Sequence, residues 1–425
     1  MKRILASILS LAILMSLAAC ASSNPSATTE PIETTEETKP ADTFPYPTIN
    51  EKLTWERINA IPLKREDMTV QEMRELCVQF MRFSKTAMWI PNDLLQFEKN
   101  TKGATDEMQK GNIYGGVPYI GRGGCGNVYR LMDYINEKNG VVDMEHFKTY
   151  PSLFGNHCSS CTYWAWGRVI NSVGHNYTAT INQRNGFLRV GPYTYDDNQL
   201  KFTDTYTTIM ICAENGMDVM FRSYAQTHLA DGFVQFVPGG GHVIMAMSEP
   251  HVVMIGDQID PINSYITIGE QGQSWEAYTN EAGDTAQIKN SVDKKMSFMD
   301  LFDKHYIPFT YAEFLGTDKV DTTECTINLS GDSVDAMQLF NAKVTANYGI
   351  SDIYVSLKNA DGKEVYRQAT RASFAGEMTL NINRNGTNTF FWGNYDKLSG
   401  EYAVEISVQL STGERPVVYT GKVTV

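Results

Sequence analysis

Gly155-Asn156-His157-Cys158-Ser159-Ser160-Cys161-Thr162-Tyr163-Trp164-Ala165-Trp166 is the stretch on which the reading of the fold turns. It reads as a helix starting near Cys158 and running to about Val173, closed by Gly174. At such a start, unpaired N–H groups and the helix dipole favour a thiolate over a thiol. The same N–H groups can hold an oxyanion during acyl transfer. Cys161 falls one turn later and is expected to pack inward. A Cys158/Cys161 redox pair would need a strand and a Trp-Cys context that the chain lacks. Zinc held by His157, Cys158 and Cys161 would need a fourth ligand, and no second Cys/His pair stands at a suitable spacing.

A thiolate nucleophile needs an imidazole, usually distant in sequence. Gly239-Gly240-Gly241-His242-Val243-Ile244-Met245 supplies one, a glycine hinge delivering His242 at the start of an apolar strand. Tyr265-Ile266-Thr267-Ile268-Gly269-Glu270-Gln271 then places Glu270 at the end of a following strand, beside His242 if the two strands pair. Nucleophile, base and orienter in that order form the Cys/His arrangement of papain-like enzymes. His251 is the competing base, but no glycine hinge precedes it.

Around this centre the pattern is α+β. Thr69-Val70-Gln71-Glu72 reads as a capping box, followed by Val70, Met73, Leu76, Phe80 and Phe83 at helical spacing. A second helix is expected from Asn127 to Asn139, ended by Gly140. Strands are expected at Phe233–Val237, His242–Met247, His251–Ile255 and Tyr265–Gly269, so that helices come first and an antiparallel sheet afterwards. Beyond Asp321, short alternating segments such as Asp352–Leu357 and Tyr402–Leu410 are separated by turn signals including Asn359-Ala360-Asp361-Gly362 and Ser411-Thr412-Gly413. About seven strands of this kind suggest an immunoglobulin-like sandwich, one that serves as a spacer or adhesion module. Cys325, the region's one cysteine, excludes the inter-sheet disulfide of antibody domains.

The N-terminus has separate business. Lys2 and Arg3 precede an apolar stretch, Ile4 to Leu17, too short for a comfortable bilayer span. Leu17-Ala18-Ala19-Cys20 resembles the bacterial lipobox, which implies lipid on Cys20 and cleavage just before it. Ala21 to Thr43, rich in Ser, Thr, Pro and Glu, reads as a flexible tether. The expected organisation is a leader over 1–20, a tether over 21–48, a papain-like catalytic domain over 49–320 and a sandwich over 321–425. Among 425 residues, 49 Asp and Glu outweigh 36 Lys and Arg, giving a charge of −13 that argues against nucleic acid as a partner. Hydrophobic residues at 42% exclude wholesale disorder. Seven irregularly spaced cysteines do not form a dense disulfide framework; Cys77, Cys125, Cys212 and Cys325 read as buried thiols.

Three motifs taken together resemble the NlpC-type cell-wall cysteine peptidases. Tyr114-Gly115-Gly116-Val117-Pro118-Tyr119, leading to Gly123-Gly124, is similar to their entrance segment. Cys158-Ser159 with Trp164-Ala165-Trp166 is similar to their nucleophile helix, and Gly241-His242-Val243 to their histidine strand; the Glu270 ending is closer to the related CHAP amidases. The likeness covers about Thr54 to Trp275. It implies a papain-like fold, Cys158 as nucleophile, His242 as base, Glu270 as third member, and Tyr119 lining the cleft beside the oxyanion. It implies amide cleavage in peptidoglycan stem peptides without metal or organic cofactor, while the lipobox and tether imply a protein anchored to the outer side of a membrane through Cys20. His157 departs from the family's usual acidic residue, and Ser160 from its usual glycine. A catalytically silent lipoprotein that binds wall or host glycan is the competing expectation.

Overall fold

Thr69 caps the helix Val70–Thr86 (α1) as its sequence requires: its side chain accepts from the Glu72 N–H, and Glu72 accepts from the Thr69 N–H at 2.8 Å. Met73, Leu76 and Phe80 turn inward and are buried. The computed structural model describes residues 43–98, 103–121, 123–171, 173, 187–196, 198–199, 201–289, 291–316, 320–372 and 378–425. The leader with Cys20, most of the tether, and Gly174 lie outside these residues. Residues 45–425 form one unit, a mixed α+β structure with few helices and many strands in several sheets. No helix among the described residues is long and apolar enough to cross a membrane.

The nucleophile helix (α2) runs Cys158–Trp166, shorter than expected. Gly167 ends it because the chain there meets Ser411: a Cβ on Gly167 would lie 3.0 Å from the Ser411 side chain, whose hydroxyl donates to the Gly167 carbonyl at 2.8 Å. Trp164 and Trp166 are buried and donate to Cys125 O at 3.2 Å and Ala230 O at 2.7 Å. The expected helix Asn127–Asn139 reduces to Val128–Met132, capped by Asn127. The rest leaves the helix because Ile135–Asn136 pairs with Val141–Val142 around a turn in which Gly140 takes φ +74°. A long helix not foreseen, Thr208–Tyr224 (α3), is capped by Thr207 and bends at Gly216, φ +74°.

α2 packs against α1 on one side and an antiparallel sheet on the other. The sheet's strands are β1 (Leu188–Arg189), β2 (Gly232–Val237), β3 (Gly240–Ala246), β4 (Tyr265–Gly269), β5 (Lys294–Ser297) and β6 (Ile307–Thr310), in the order β5-β4-β3-β2-β6-β1. β2, β3 and β4 fall where the alternation predicts them. The expected strand His251–Ile255 does not form as such. His251 makes an isolated bridge to Tyr265, and the exposed Met254–Ile255 pairs with Gln258–Ile259 in a small ribbon. Nor do helices simply precede the sheet. Met88–Pro91 pairs antiparallel with Tyr114–Gly115 and parallel with Val141–Val142, within a second six-stranded sheet that strands of only two to four residues did not announce.

Among the described residues, the C-terminal region carries nine strands rather than about seven, in a three-stranded and a six-stranded sheet around their own apolar core of residues such as Val344, Val355, Ile406 and Val408. Its longest strands are Ile350–Lys358, Glu364–Arg371, Glu401–Leu410 and Val417–Thr424. The turns at Gly362 and Gly413 take φ +77° and +91°, which is why glycine stands there. A buried ion network joins this region to the preceding one. Arg371 reaches Asp133 and Asp352, each at 2.8 Å, and Arg130 reaches Asp352 at 3.1 Å, with both arginines and Asp352 wholly inaccessible. Arg130 also donates to Ser351 O and Ala372 O at 2.9 and 2.8 Å.

Candidate active site

Cys158 is the first residue of α2, so its N–H has no intrahelical acceptor. His157 is the cap: its Nδ1 accepts from the Ser160 N–H at 3.4 Å and pairs with the Ser159 hydroxyl at 2.9 Å. Ser160 closes the box by accepting from the His157 N–H at 3.0 Å and fixes the helix start to the chain upstream by donating to Gly124 O at 2.7 Å. These are the two positions that depart from the family pattern, and together they make a working N-terminus.

β3 supplies the imidazole. The two-residue turn before it has Gly239 at φ +87°, while Gly240 and Gly241 already belong to the strand, so the run is a tight hairpin rather than a hinge. β4 pairs with β3 through Ile268–Ala246 and Gly269–Met245, which carries Glu270 to the His242 side. His242 Nε2 lies 3.1 Å from Glu270 Oε2, and the ring also hydrogen-bonds the Cys158 thiol. With Nε2 occupied, Nδ1 is the nitrogen left for sulfur. The sequence-derived trio thus meets in space, Tyr119 lies beside it, and His251 is exposed elsewhere against Tyr265.

The electrostatics separate charge. Burial works against a Cys158 thiolate, but hydrogen bonds from His157 and His242 and their charges outweigh it and bring the thiol down to about 5. Burial would neutralise His242, yet its bonds to Cys158 and Glu270 raise the imidazole to about 9. Glu270 is likewise penalised by burial, and the His242 contact together with Lys294 holds its carboxyl at about 2. Tyr119 is raised by burial and then by the Cys158 charge, with a hydrogen bond to Gln273 opposing both.

Several participants were not legible in the sequence. Lys294 sits 3.1 Å from Glu270 Oε1 because β5 pairs with β4, Ile268 against Lys294. Tyr306 walls His242, ring centroids 6.4 Å apart. His157 reaches the thiol, where position alone marked it as a departure. The Gly115-Gly116 pair does carry a signal: Gly116 takes φ +65°, and a Cβ there would lie 2.5 Å from the Lys85 backbone. Cys161 is buried and in no disulfide, 3.6 Å from Met81 Sδ, and burial raises its thiol. Cys77, Cys125 and Cys212 are buried and outside any disulfide, as expected, whereas Cys325 is half-buried. Among the described residues, no group of three or more His, Cys, Asp or Glu is placed to hold a metal ion.

Against models of known protein families and against curated proteins, the chain gives no match.

Proposed function

We propose that this protein is a papain-like cysteine hydrolase that cleaves amide bonds in peptidoglycan peptides, with a C-terminal immunoglobulin-like domain and a lipid anchor on Cys20. The observation that carries the chemistry is the charge-separated Cys158–His242–Glu270 set at a helix N-terminus. The substrate class rests on the likeness of the entrance, nucleophile and histidine motifs to NlpC-type enzymes. The two sheets that the described C-terminal strands form around a separate core support the sandwich reading, and the lipobox-like Leu17-Ala18-Ala19-Cys20 supports the anchor.

In this reading the Cys158 thiolate adds to the scissile carbonyl carbon, and the carbonyl π electrons move onto oxygen. The Cys158 N–H and the Tyr119 hydroxyl donate to that oxyanion. Collapse expels the amine, which takes the proton from the His242 imidazolium, leaving a thioester. Neutral His242 then takes a proton from water as it attacks, the thioester breaks to free acid, and the thiolate–imidazolium pair returns. Glu270 stays ionised and holds the ring.

The test is mass spectrometry of peptidoglycan fragments after incubation with the protein: new amine and carboxyl ends at one bond support the reading, and unchanged fragments refute it. The pH dependence is a second check. The pair gains its thiolate as pH rises through about 5 and loses its imidazolium proton above about 9. A bell-shaped kcat/KM with limbs near those values is therefore expected, the limbs belonging to the coupled pair. A single rising limb near the free-thiol value would contradict it.

A further inference from the structure

Lys85 is a wholly buried lysine that the proposed mechanism does not use. It stands in the last turn of α1, and its Nζ donates to the Glu270 carbonyl oxygen and, at 3.0 Å, to Gln271 Oε1. The Cys161 sulfur is its third hydrogen-bond partner. Burial lowers this lysine, and its Cys161 and Glu270 partners oppose that cost, so the three acceptors favour its ammonium form. Gln271 passes the connection on, donating through Nε2 to Val117 O at 3.0 Å. The backbone completes the ring. Val117 N–H donates to Ser84 O at 3.2 Å and Gly116 N–H to Ala87 O at 2.9 Å, an approach that only glycine at 116 permits.

We infer that Lys85 is the positioning residue of this site: it ties the backbone of Glu270 to the Val117–Tyr119 segment and places a buried positive charge beneath the nucleophile helix. The inference rests on the proposed Cys158–His242–Glu270 reading and deepens it. Glu270 must present Oε2 to His242 at 3.1 Å from a strand end, and its carbonyl is pinned by one buried donor. Misplacement by about 1 Å in such a set can cost about 100-fold in rate. Lys85 faces the Glu270 carboxylate and Cys158, so in a low-dielectric interior its ammonium also favours the Cys158 thiolate. Lys294 holds the other oxygen of Glu270 and is exposed at the surface, so it cannot replace a fixed backbone contact.

The experiment follows carbamidomethylation of Cys158 against pH, by peptide mass spectrometry, in the full chain, in Lys85→Met and in Gln271→Met, with the thermal midpoint of each. Lys85→Met is expected to move the Cys158 half-titration up by about one pH unit, slowing alkylation near pH 5 about fivefold. Gln271→Met keeps the lysine and is expected to move it in the same direction by less, with little change in midpoint. Should Lys85→Met not fold, Gln271→Met decides. A wild-type titration in folded Gln271→Met, or in folded Lys85→Met, overturns the inference. The readout uses no substrate. A wild type that alkylates as a low-pH thiolate yet releases no wall fragments would refute the hydrolase reading and leave the role of Lys85 standing.

Discussion

Cys158→Ala is expected to abolish amide hydrolysis, lowering kcat by a factor on the order of 10⁴ to 10⁶. Burial raises the thiols of Cys77, Cys161, Cys212 and Cys325, whereas the imidazoles beside Cys158 lower its own. The thermal midpoint should move by no more than about 5 °C, because the change removes one sulfur at a helix start. His242→Ala should cost nearly as much, as proton donor and thiolate stabiliser disappear together. Glu270→Gln should cost less: an amide can still accept from the ring, though it no longer stabilises the imidazolium. Single-turnover and steady-state rates on soluble wall fragments measure all three. An active Cys158→Ala protein, or a harmless His242→Ala, would contradict the assignment.

Arg371→Ala is expected to be the most destabilising change away from the active site, by about 3–5 kcal/mol. It removes a fully buried guanidinium from Asp133 and Asp352, and its stacking against Phe390 at 5.2 Å. Asp352 keeps Arg130 at 3.1 Å, whereas Asp133, only 3% exposed, keeps the more distant Arg367 at 3.5 Å. Chemical denaturation should show a lower midpoint, with hydrolysis per folded molecule preserved because none of these groups touches Cys158. A loss below about 1 kcal/mol would mean that the network is compensated elsewhere.

How much of this was readable in advance depends on the range of the interaction. Local signals worked. The Thr69–Glu72 box started its helix, Cys158 began another, and strand-like runs located β2, β3, β4, Ile350–Lys358 and Glu401–Leu410, though not Glu364–Arg371 or Val417–Thr424. Nucleophile, base and orienter could be named because each stands at an element boundary marked by small or polar residues. What failed was set by distant partners. Nothing near Asn127 announces that its helix will stop after one turn so that Ile135 can pair with Val142. Gly167 ends α2 because of Ser411, far along the chain. Thr208–Tyr224 was missed because its cap and its bend at Gly216 break the periodicity that would reveal it. Nothing in the sequence singles out Lys85 or Lys294, and only α1 docking on Gly116 and β5 pairing with β4 bring them to Glu270.

The most direct measurement of the central claim is the pH dependence of Cys158 alkylation in the unmodified protein. Iodoacetamide reacts with thiolate, so the rate at each cysteine, read by peptide mass spectrometry, reports that cysteine's ionisation. The account expects Cys158 to react with a half-titration near pH 5, while burial holds Cys212 near 12 and Cys325 near 11, leaving both unmodified at neutral pH. A Cys158 that titrates at about 8.5, as a free thiol does, or that stays unreactive throughout, would contradict it.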